Sequence, residues 1–174
     1  MNDRLLSILW AVLLVAVAFL QACGPADSTH LTDSVERPVD TAAVQAAIST
    51  VLDDYHMAAT RADADAFFGA MTADGIYIGT DASERWLRDE LRTWAAEAFE
   101  RDTAWAFVPL SRDIVISDEG DYAWFTETLD TWMGVCRSSG VLSLEPEGWK
   151  IRQYHLAVTV PNEQIQAFMD LQNQ

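Results

Sequence analysis

An imidazole near the carboxyl end of the chain is the first residue whose type and position point to chemistry. His155 lies in the run from Glu147 to Pro161, where apolar and polar residues alternate and β-branched and aromatic side chains are frequent. This pattern predicts a long antiparallel strand that is entered through a tight turn at Gly148. A histidine buried in such a strand can act as a general acid or base near neutral pH. His155 is therefore the best single indication of a pocket.

A carboxylate and an arginine are the next candidates. Glu127 follows Trp124 and Phe125 in a predicted strand, and an apolar wall beside a carboxyl group shifts its pKa. The alternation in this strand leaves open whether Trp124 or Glu127 points inward, and a bulge would let both do so. Arg137 would be costly to bury alone, so if it points inward we expect it to pair with Glu127 or Asp81.

Each candidate also has a structural explanation that the sequence leaves open. His155 could be a core histidine that is hydrogen-bonded to a neighbour, and Asp81 could serve as a helix cap. Tryptophans fill a core and a dimer face, or they form the wall of a cavity for a flat apolar ligand. The domain has six of them, at positions Trp86, Trp94, Trp105, Trp124, Trp132 and Trp149. His56 and His155 have no Cys or carboxylate at ligand spacing, so we expect no metal and no cofactor, and we expect His56 to be exposed.

The elements that must position these residues are helices first and strands afterward. Helical periodicity predicts a helix that begins at Asp40 or Thr41, a second over 63–71 and a third that begins near Ser83. Alternation predicts strands over 76–79, 104–116, 122–132, 135–144 and 148–160, with a final amphipathic helix after Pro161. This order predicts an α+β fold in which a curved antiparallel sheet packs on a small helical layer.

The composition excludes some partners. The formal net charge of the 174-residue chain is -16, with 11 Lys and Arg against 27 Asp and Glu. Contacts with nucleic acid phosphates need clustered basic residues, so nucleic acid is excluded and anionic lipid headgroups are disfavoured. The acidic residues either solvate the surface or produce a negative field that steers a ligand.

The first residues resemble a bacterial lipoprotein signal peptide. A short polar head with Arg4 precedes an apolar run from Leu5 to Leu20, and Leu20-Gln21-Ala22-Cys23 resembles the lipoprotein cleavage box. The resemblance implies that residues 1–22 are removed and that Cys23 is lipidated, for example with palmitate. Plain secretory cleavage and an uncleaved anchor remain alternatives. Residues 23–39 then form a flexible tether, and residues 40–174 form the domain, held to the bacterial cell envelope and facing the periplasm or the exterior.

Four segments of the domain resemble the SnoaL-like domain of the nuclear transport factor 2-like superfamily. They are GTDASERW (79–86), AWFTE (123–127), CRSSGVL (136–142) and GWKIRQYHL (148–156). The resemblance implies a cone-shaped α+β roll, also called cystatin-like, with a pocket between the concave sheet and the helices. It also implies a homodimer that packs through the outer face of the sheet.

The resemblance does not imply a single activity, because the superfamily contains isomerases, dehydratases, cyclases and binding modules. Our first hypothesis is a domain that binds a small, mostly apolar ligand. A second is an isomerase, dehydratase or hydrolase that uses general acid and base catalysis, and a third is a dimeric interaction module. The site residues implied are His155 and Glu127 as catalytic bases, with ligand-binding residues Trp124, Arg137, Tyr154, Asp81 and Trp86.

Overall fold

The helices precede the main strands along the chain, apart from one at the end. The structure is a computed structural model that describes residues 39–173, so the predicted signal peptide, Cys23 and nearly all of the predicted tether lie outside the described residues. The Asp40 carboxylate accepts a hydrogen bond from the Ala43 N–H at 3.1 Å and so caps the first helix, which decides between the two predicted starts, Asp40 and Thr41. The helices are α1 (Thr41–Thr60), α2 (Ala64–Gly69), α3 (Arg88–Trp94), α4 (Ala96–Phe99) and α5 (Ile165–Gln172), with a 3-10 turn at Asn162–Gln164.

Six strands form one curved open sheet in the order β2-β1-β6-β5-β4-β3. β1 and β6 run parallel, and all other neighbours are antiparallel. The predicted α+β fold, a curved sheet packed on N-terminal helices, is confirmed. The strands are β1 (Met71–Ile78), β2 (Arg85–Leu87), β3 (Val108–Ile116), β4 (Tyr122–Thr131), β5 (Gly134–Glu145) and β6 (Gly148–Val158).

The core lies between α1, α2 and the inner face of the sheet. Ile48, Leu52 and Tyr55 recur along α1 at three- and four-residue steps and are fully buried. The inner face of the sheet contributes alternate residues of each strand, among them Phe125 and Leu142. This packing fixes which face of each strand can approach a pocket, because the period of two sends neighbouring residues to opposite faces.

The predicted third helix begins too early. We expected one helix from near Ser83 with a buried stripe that included Leu87 and Trp94, but both of these side chains are exposed. Residues 85–87 instead pair with β1 as the short strand β2. The Glu90 carboxylate accepts the Leu87 N–H at 2.9 Å, so helical structure begins only at Arg88.

Register irregularities occur at three places in the described sheet: in β6, in β1 and next to Pro109 in β3. In β6, Leu142 faces Ile151 while the adjacent Val141 faces Gln153, so Arg152 is the extra residue of a bulge. The bulge reverses the alternation, and Ile151, Tyr154 and Leu156 are all buried. The predicted strict alternation through this strand, with Ile151 and His155 on one face, is therefore wrong. Another irregularity lies between Met71 and Ile76 in β1, which begins before the predicted strand over 76–79.

The final helix has no buried side chain. Ile165, Phe168 and Met169 of α5 are each 40% or more exposed. None of the helices between residues 39 and 173 combines the length and the apolarity that crossing a membrane requires.

Candidate ligand-binding site

A cavity of about 160 Å³ opens beside the end of the sheet where β1, β2 and the β4–β5 turn lie. Five separate segments line it: the stretch from the end of β1 through the β1–β2 turn into β2, α3, the segment before β3, the β4–β5 turn and β6. Its walls are mostly aromatic. The lining residues are Tyr77, Gly79, Thr80, Glu84, Trp86, Trp94, Trp105, Phe107, Trp132, Met133 and Leu156.

The four tryptophans of this cavity differ in how far they are packed against other rings. The Trp86 and Trp94 rings lie 4.6 Å apart between centroids, with an interplanar angle of 32°, and form one wall. Trp105 packs against Phe99 in the core at 5.5 Å. Trp94 is 56% exposed and Trp132 is 83% exposed, so broad indole faces are available to a ligand.

Glu84 is the one charged residue among the described residues that line the cavity. It lies in the β1–β2 turn, where its Oε2 accepts the Asp81 N–H at 3.2 Å. A Cβ atom at position 79 would collide with the Glu84 carboxylate, so Gly79 permits its position over the turn. Burial, and then the nearby charge of Glu84, raise the pKa of Tyr77, so its phenol stays neutral at physiological pH.

A second cluster of polar residues lies behind this cavity, inside the core. Glu127 of β4 is 2% exposed, and its Oε1 accepts a hydrogen bond from Ser138 Oγ at 2.7 Å. His56 of α1 places Nε2 at 3.2 Å from the same oxygen and at 3.1 Å from the Tyr154 hydroxyl. We assign the His56 hydrogen to Nε2, because a carboxylate is an acceptor only. Both of these contacts use His56 Nε2, and the buried Nδ1 of His56 has no hydrogen-bond partner among the described residues.

Arg112 of β3 completes this buried cluster. Its Nε donates to Glu127 Oε2 at 2.8 Å, and its Nη1 donates to Asp53 Oδ1 at 2.8 Å and to the Ser49 carbonyl at 3.1 Å. Burial raises the pKa of the Glu127 carboxyl, but hydrogen bonds and charge interactions with His56, Ser138 and Arg112 outweigh it, so the net pKa lies below its ordinary value. Glu127 is therefore an ionised carboxylate in an ion pair.

One layer of aromatic rings separates the buried cluster from the cavity. Tyr77, which lines the cavity, stacks on Tyr154 at 5.6 Å with an interplanar angle of 12°. Phe107, which also lines the cavity, meets the His56 ring edge-on at 5.8 Å. The side chains of Glu127, His56 and Tyr154 do not line the cavity. The groups best suited to proton transfer are thus walled off from the aromatic cavity.

Comparison with known proteins establishes the family. The sequence profile of the SnoaL-like domain matches residues 48–161. This chain belongs to that family. The search among curated proteins found no significant match.

Solved structures share the fold of this SnoaL-like protein at low sequence identity. A domain of unknown function with a cystatin-like fold from Nostoc punctiforme superposes with a TM-score of 0.62 at 15% identity, over 77% of this chain and 88% of that chain. A candidate dehydratase of the NTF2-like family from Streptomyces avermitilis gives 0.58 at 16% identity, over 69% and 98%. An NTF2-like protein of unknown function from Pseudomonas putida gives 0.58 at 11% identity, over 71% and 92%. These similarities show the fold and leave the activity of the SnoaL-like protein to its own residues.

The structure of the SnoaL-like domain places three of the predicted site residues away from the cavity. His155 lies between the buried Tyr154 and Leu156, so it points to the outer face of the sheet and is partly exposed. Trp124 and Arg137 are exposed on the same outer face. Glu127 therefore takes the inward position in β4, and Arg112, rather than Arg137, is its partner.

The other predicted residues have different surroundings. Trp86 lines the cavity, whereas Asp81 is an exposed turn residue whose Oδ1 accepts the Ser83 N–H at 2.8 Å. A hydrogen bond from the Ser83 side chain is the main reason why the pKa of Asp81 is lowered. Tyr154 is fully buried in the core with Glu127. Of the seven predicted site residues, all of them described, Trp86 is the one that lines the cavity.

Sequence reasoning missed His56 and Arg112, although a signal for each was present. The expectation that His56 is exposed is wrong, since it is 3% exposed. It lies four residues after Leu52 and three before Ala59, on the edge of the buried stripe of α1. Arg112 shares the inward parity of Ile114 in β3. Within residues 39–173, no group of three or more His, Cys, Asp or Glu side chains could hold a metal ion.

Proposed function

We propose that this SnoaL-like domain binds a small, mostly apolar ligand in its aromatic-walled cavity. The observation that carries the proposal is the set of indole faces that line a cavity and remain open to solvent, above all Trp94 and Trp132. A soluble domain rarely leaves large aromatic surfaces together and exposed without a partner. Covering ~200 Å² of apolar surface would supply roughly 5 kcal/mol before the costs of association are subtracted.

The size of the cavity limits the ligand that fits. Pockets for drug-sized molecules measure roughly 300 to 1,000 Å³, whereas this cavity measures about 160 Å³. A single ring or a compact branched group fits such a volume, and the rest of a longer molecule would lie along the exposed face of Trp132. The proposal is thus a site for the end group of a small molecule.

An enzyme of the isomerase, dehydratase or hydrolase kind is less well supported. General acid and base catalysis needs two or more convergent titratable groups beside the substrate. Among the described residues that line the cavity, Glu84 is the one carboxylate and Tyr77 is a neutral phenol. A catalytic alternative would have to use Glu84 as its base, because Glu127 and His155 do not line the cavity.

We test ligand binding with tryptophan variants of matched type. The full-length protein is purified in a non-ionic detergent from its own host, and native mass spectrometry identifies a small molecule that copurifies. Trp132→Ala should reduce the retained ligand about tenfold, while Trp124→Ala, which removes an indole from the outer face, should leave it unchanged. Equal retention in both variants would place the ligand elsewhere and contradict the proposal.

We also propose that the mature protein is tethered to the bacterial cell envelope through a lipid on Cys23. The support is the resemblance of residues 1–23 to a lipoprotein signal, and two or three acyl chains hold a protein stably on a membrane. Cys23→Ser should abolish the incorporation of radiolabelled palmitate. Continued labelling of this variant would show that Cys23 is not the acceptor.

Finally, we propose a homodimer that packs through the outer face of the sheet. Val115, Trp124 and Val141 face one another across β3, β4 and β5, and Val115 and Trp124 are 47% and 48% exposed. This apolar row is the support for the proposal. Trp124→Arg should produce monomers in analytical ultracentrifugation, and an unchanged sedimentation coefficient would contradict it.

A further inference from the structure

The aromatic cavity carries one negative charge and no positive charge among its described lining residues. Glu84 is that charge, and the remaining lining side chains are aromatic, apolar or neutral. The faces of indole rings carry negative quadrupole potential and attract cations, most strongly those of Trp. A carboxylate and four indole rings around one small volume therefore favour a cation inside it.

A neutral apolar ligand would leave the Glu84 carboxylate of this cavity without a charged partner. When it filled the cavity, the Glu84 carboxylate would lose part of its hydration and gain no partner in return. The Glu84 Oε2 is already engaged by the Asp81 N–H, but one such bond does not neutralise a carboxylate. A ligand that carries its own positive charge would compensate this loss.

The neutral Tyr77 phenol adds no charge to the cavity, and the negative charge of the whole chain also favours a positively charged ligand. The net charge of -16 attracts cations toward the surface and raises their local concentration. A primary ammonium holds its water strongly, whereas a fully alkylated ammonium has an apolar surface and a spread charge. The latter suits aromatic walls that offer few hydrogen-bond acceptors.

We propose that the end group bound in this cavity is a quaternary or fully alkylated ammonium, held by the faces of Trp86, Trp94, Trp105 and Trp132 and balanced by Glu84. This inference rests on the proposed ligand-binding function and narrows it to a class of ligand. The compact cavity of about 160 Å³ admits a trimethylammonium group and excludes a polycyclic ring system.

The test compares a cation with its neutral isostere. Choline and 3,3-dimethylbutanol have the same shape and differ in one atom, nitrogen in place of carbon, and hence in charge. Each is titrated into the full-length protein in a non-ionic maltoside detergent, and intrinsic tryptophan fluorescence reports binding. We expect choline to bind about tenfold more tightly than the neutral alcohol, with an affinity that weakens as salt is added.

Two carboxylate variants provide the matched control. Glu84 Oε2 accepts the N–H of Asp81, and Glu90 Oε2 accepts the N–H of Leu87 at 2.9 Å, each three residues earlier in the chain. Glu84→Gln and Glu90→Gln remove the same charge, and the amide oxygen can keep each backbone bond. Glu84→Gln should weaken choline binding about tenfold and leave the alcohol unaffected, and Glu90→Gln should change neither.

The possible results separate the two proposals. If the alcohol binds as tightly as choline and Glu84→Gln has no effect on choline, the cavity binds apolar groups, and the cationic class is overturned while the proposed function stands. If neither probe binds, indole is titrated as a neutral aromatic probe and its binding is followed by calorimetry, because indole fluoresces as tryptophan does. Binding of indole that Trp132→Ala abolishes overturns the cationic class alone, and failure of all three probes overturns both proposals.

Discussion

Two regions of this domain contain the residue types from which a site can be built, and they differ in where their hydrogen bonds and exposed surfaces lie. In the buried cluster of Glu127, His56 and Arg112, both Glu127 oxygens are paired within the core, although His56 Nδ1 and Arg112 Nη2 have no hydrogen-bond partner among the described residues. The cavity of Trp86, Trp94 and Trp132 has few hydrogen bonds and much exposed aromatic surface. The polar region thus has the properties of a structural element, and the aromatic region has the properties of a site.

This difference shows that residue type alone is a weak guide to function. Charged groups in the core lose hydration and are stable there only when paired, and in this cluster the pairing occupies both Glu127 oxygens, which a general base would need. Large aromatic groups have no such requirement and can be left exposed at a cavity. Substitutions in the buried cluster should therefore lower stability, whereas substitutions in the aromatic cavity should lower ligand affinity.

The largest effect is expected in the buried cluster. Glu127→Ala would leave the Arg112 guanidinium and Ser138 without their shared acceptor in the core. Removing one member of a buried ion pair costs about 3 to 5 kcal/mol. The free energy of unfolding of the full-length protein in detergent, measured by urea denaturation, should fall by that amount.

The control removes the other carboxylate that pairs with Arg112. Asp53 also pairs with Arg112 at 2.8 Å, but its side chain is 62% exposed. Asp53→Ala should therefore cost about 1 kcal/mol or less. Equal losses for the two variants would mean that burial does not set the difference, and the account of the cluster as a structural element would be wrong.

The second effect is expected in the aromatic cavity, where ligand affinity should fall and stability should hardly change. Trp132→Ala removes a side chain that is 83% exposed, so the free energy of unfolding should change by about 0.5 kcal/mol or less. Ligand affinity, measured by titration of whichever probe binds, should fall about tenfold because an indole face is lost. A variant that lost stability and kept its affinity would reverse the comparison between the two regions.

Much of the fold could be predicted from the sequence, because strong periodicity decides it. The stripe of α1 and the presence of strands β4 and β5 follow from apolar spacing, and the structure confirms both. The bulge at Arg152 could not be predicted, since no residue type marks it, and it reversed the faces of β6 near His155. The short strand β2 was missed because three residues carry too little periodicity.

The candidate site was predicted less well, and the reason is physical. Trp86 was named as ligand-binding, but Trp94, Trp105 and Phe107 come to the cavity from a short helix and from an irregular segment before β3. Such positions are set by tertiary packing, which neither propensity nor alternation encodes. The inward position of Glu127 was one of two alternatives that parity alone allowed, and the partner that decided it, Arg112, is distant in the sequence.

A smaller effect is expected from acidification. The folded pKa of Glu127 lies below its ordinary value of 4.5, so its contribution to stability is complete above about pH 4.5 and is lost as the pH falls through the folded pKa. The free energy of unfolding should therefore decrease with acidification below pH 4.5. Glu127→Gln should lower stability above this pH and show a shallower loss below it, and parallel curves for both proteins would contradict the assignment.

The smallest effect is expected at His155, the residue that the sequence favoured most. Its side chain is partly exposed on the outer face and has no hydrogen-bond partner among the described residues. His155→Ala should change the free energy of unfolding by about 0.5 kcal/mol or less, and ligand affinity should stay within about twofold of the unsubstituted protein, because the aromatic cavity lies on the other side of the sheet. A loss of affinity comparable to that of Trp132→Ala would mean that the outer face takes part in ligand binding. The binding site would then have to include residues of the proposed dimer face.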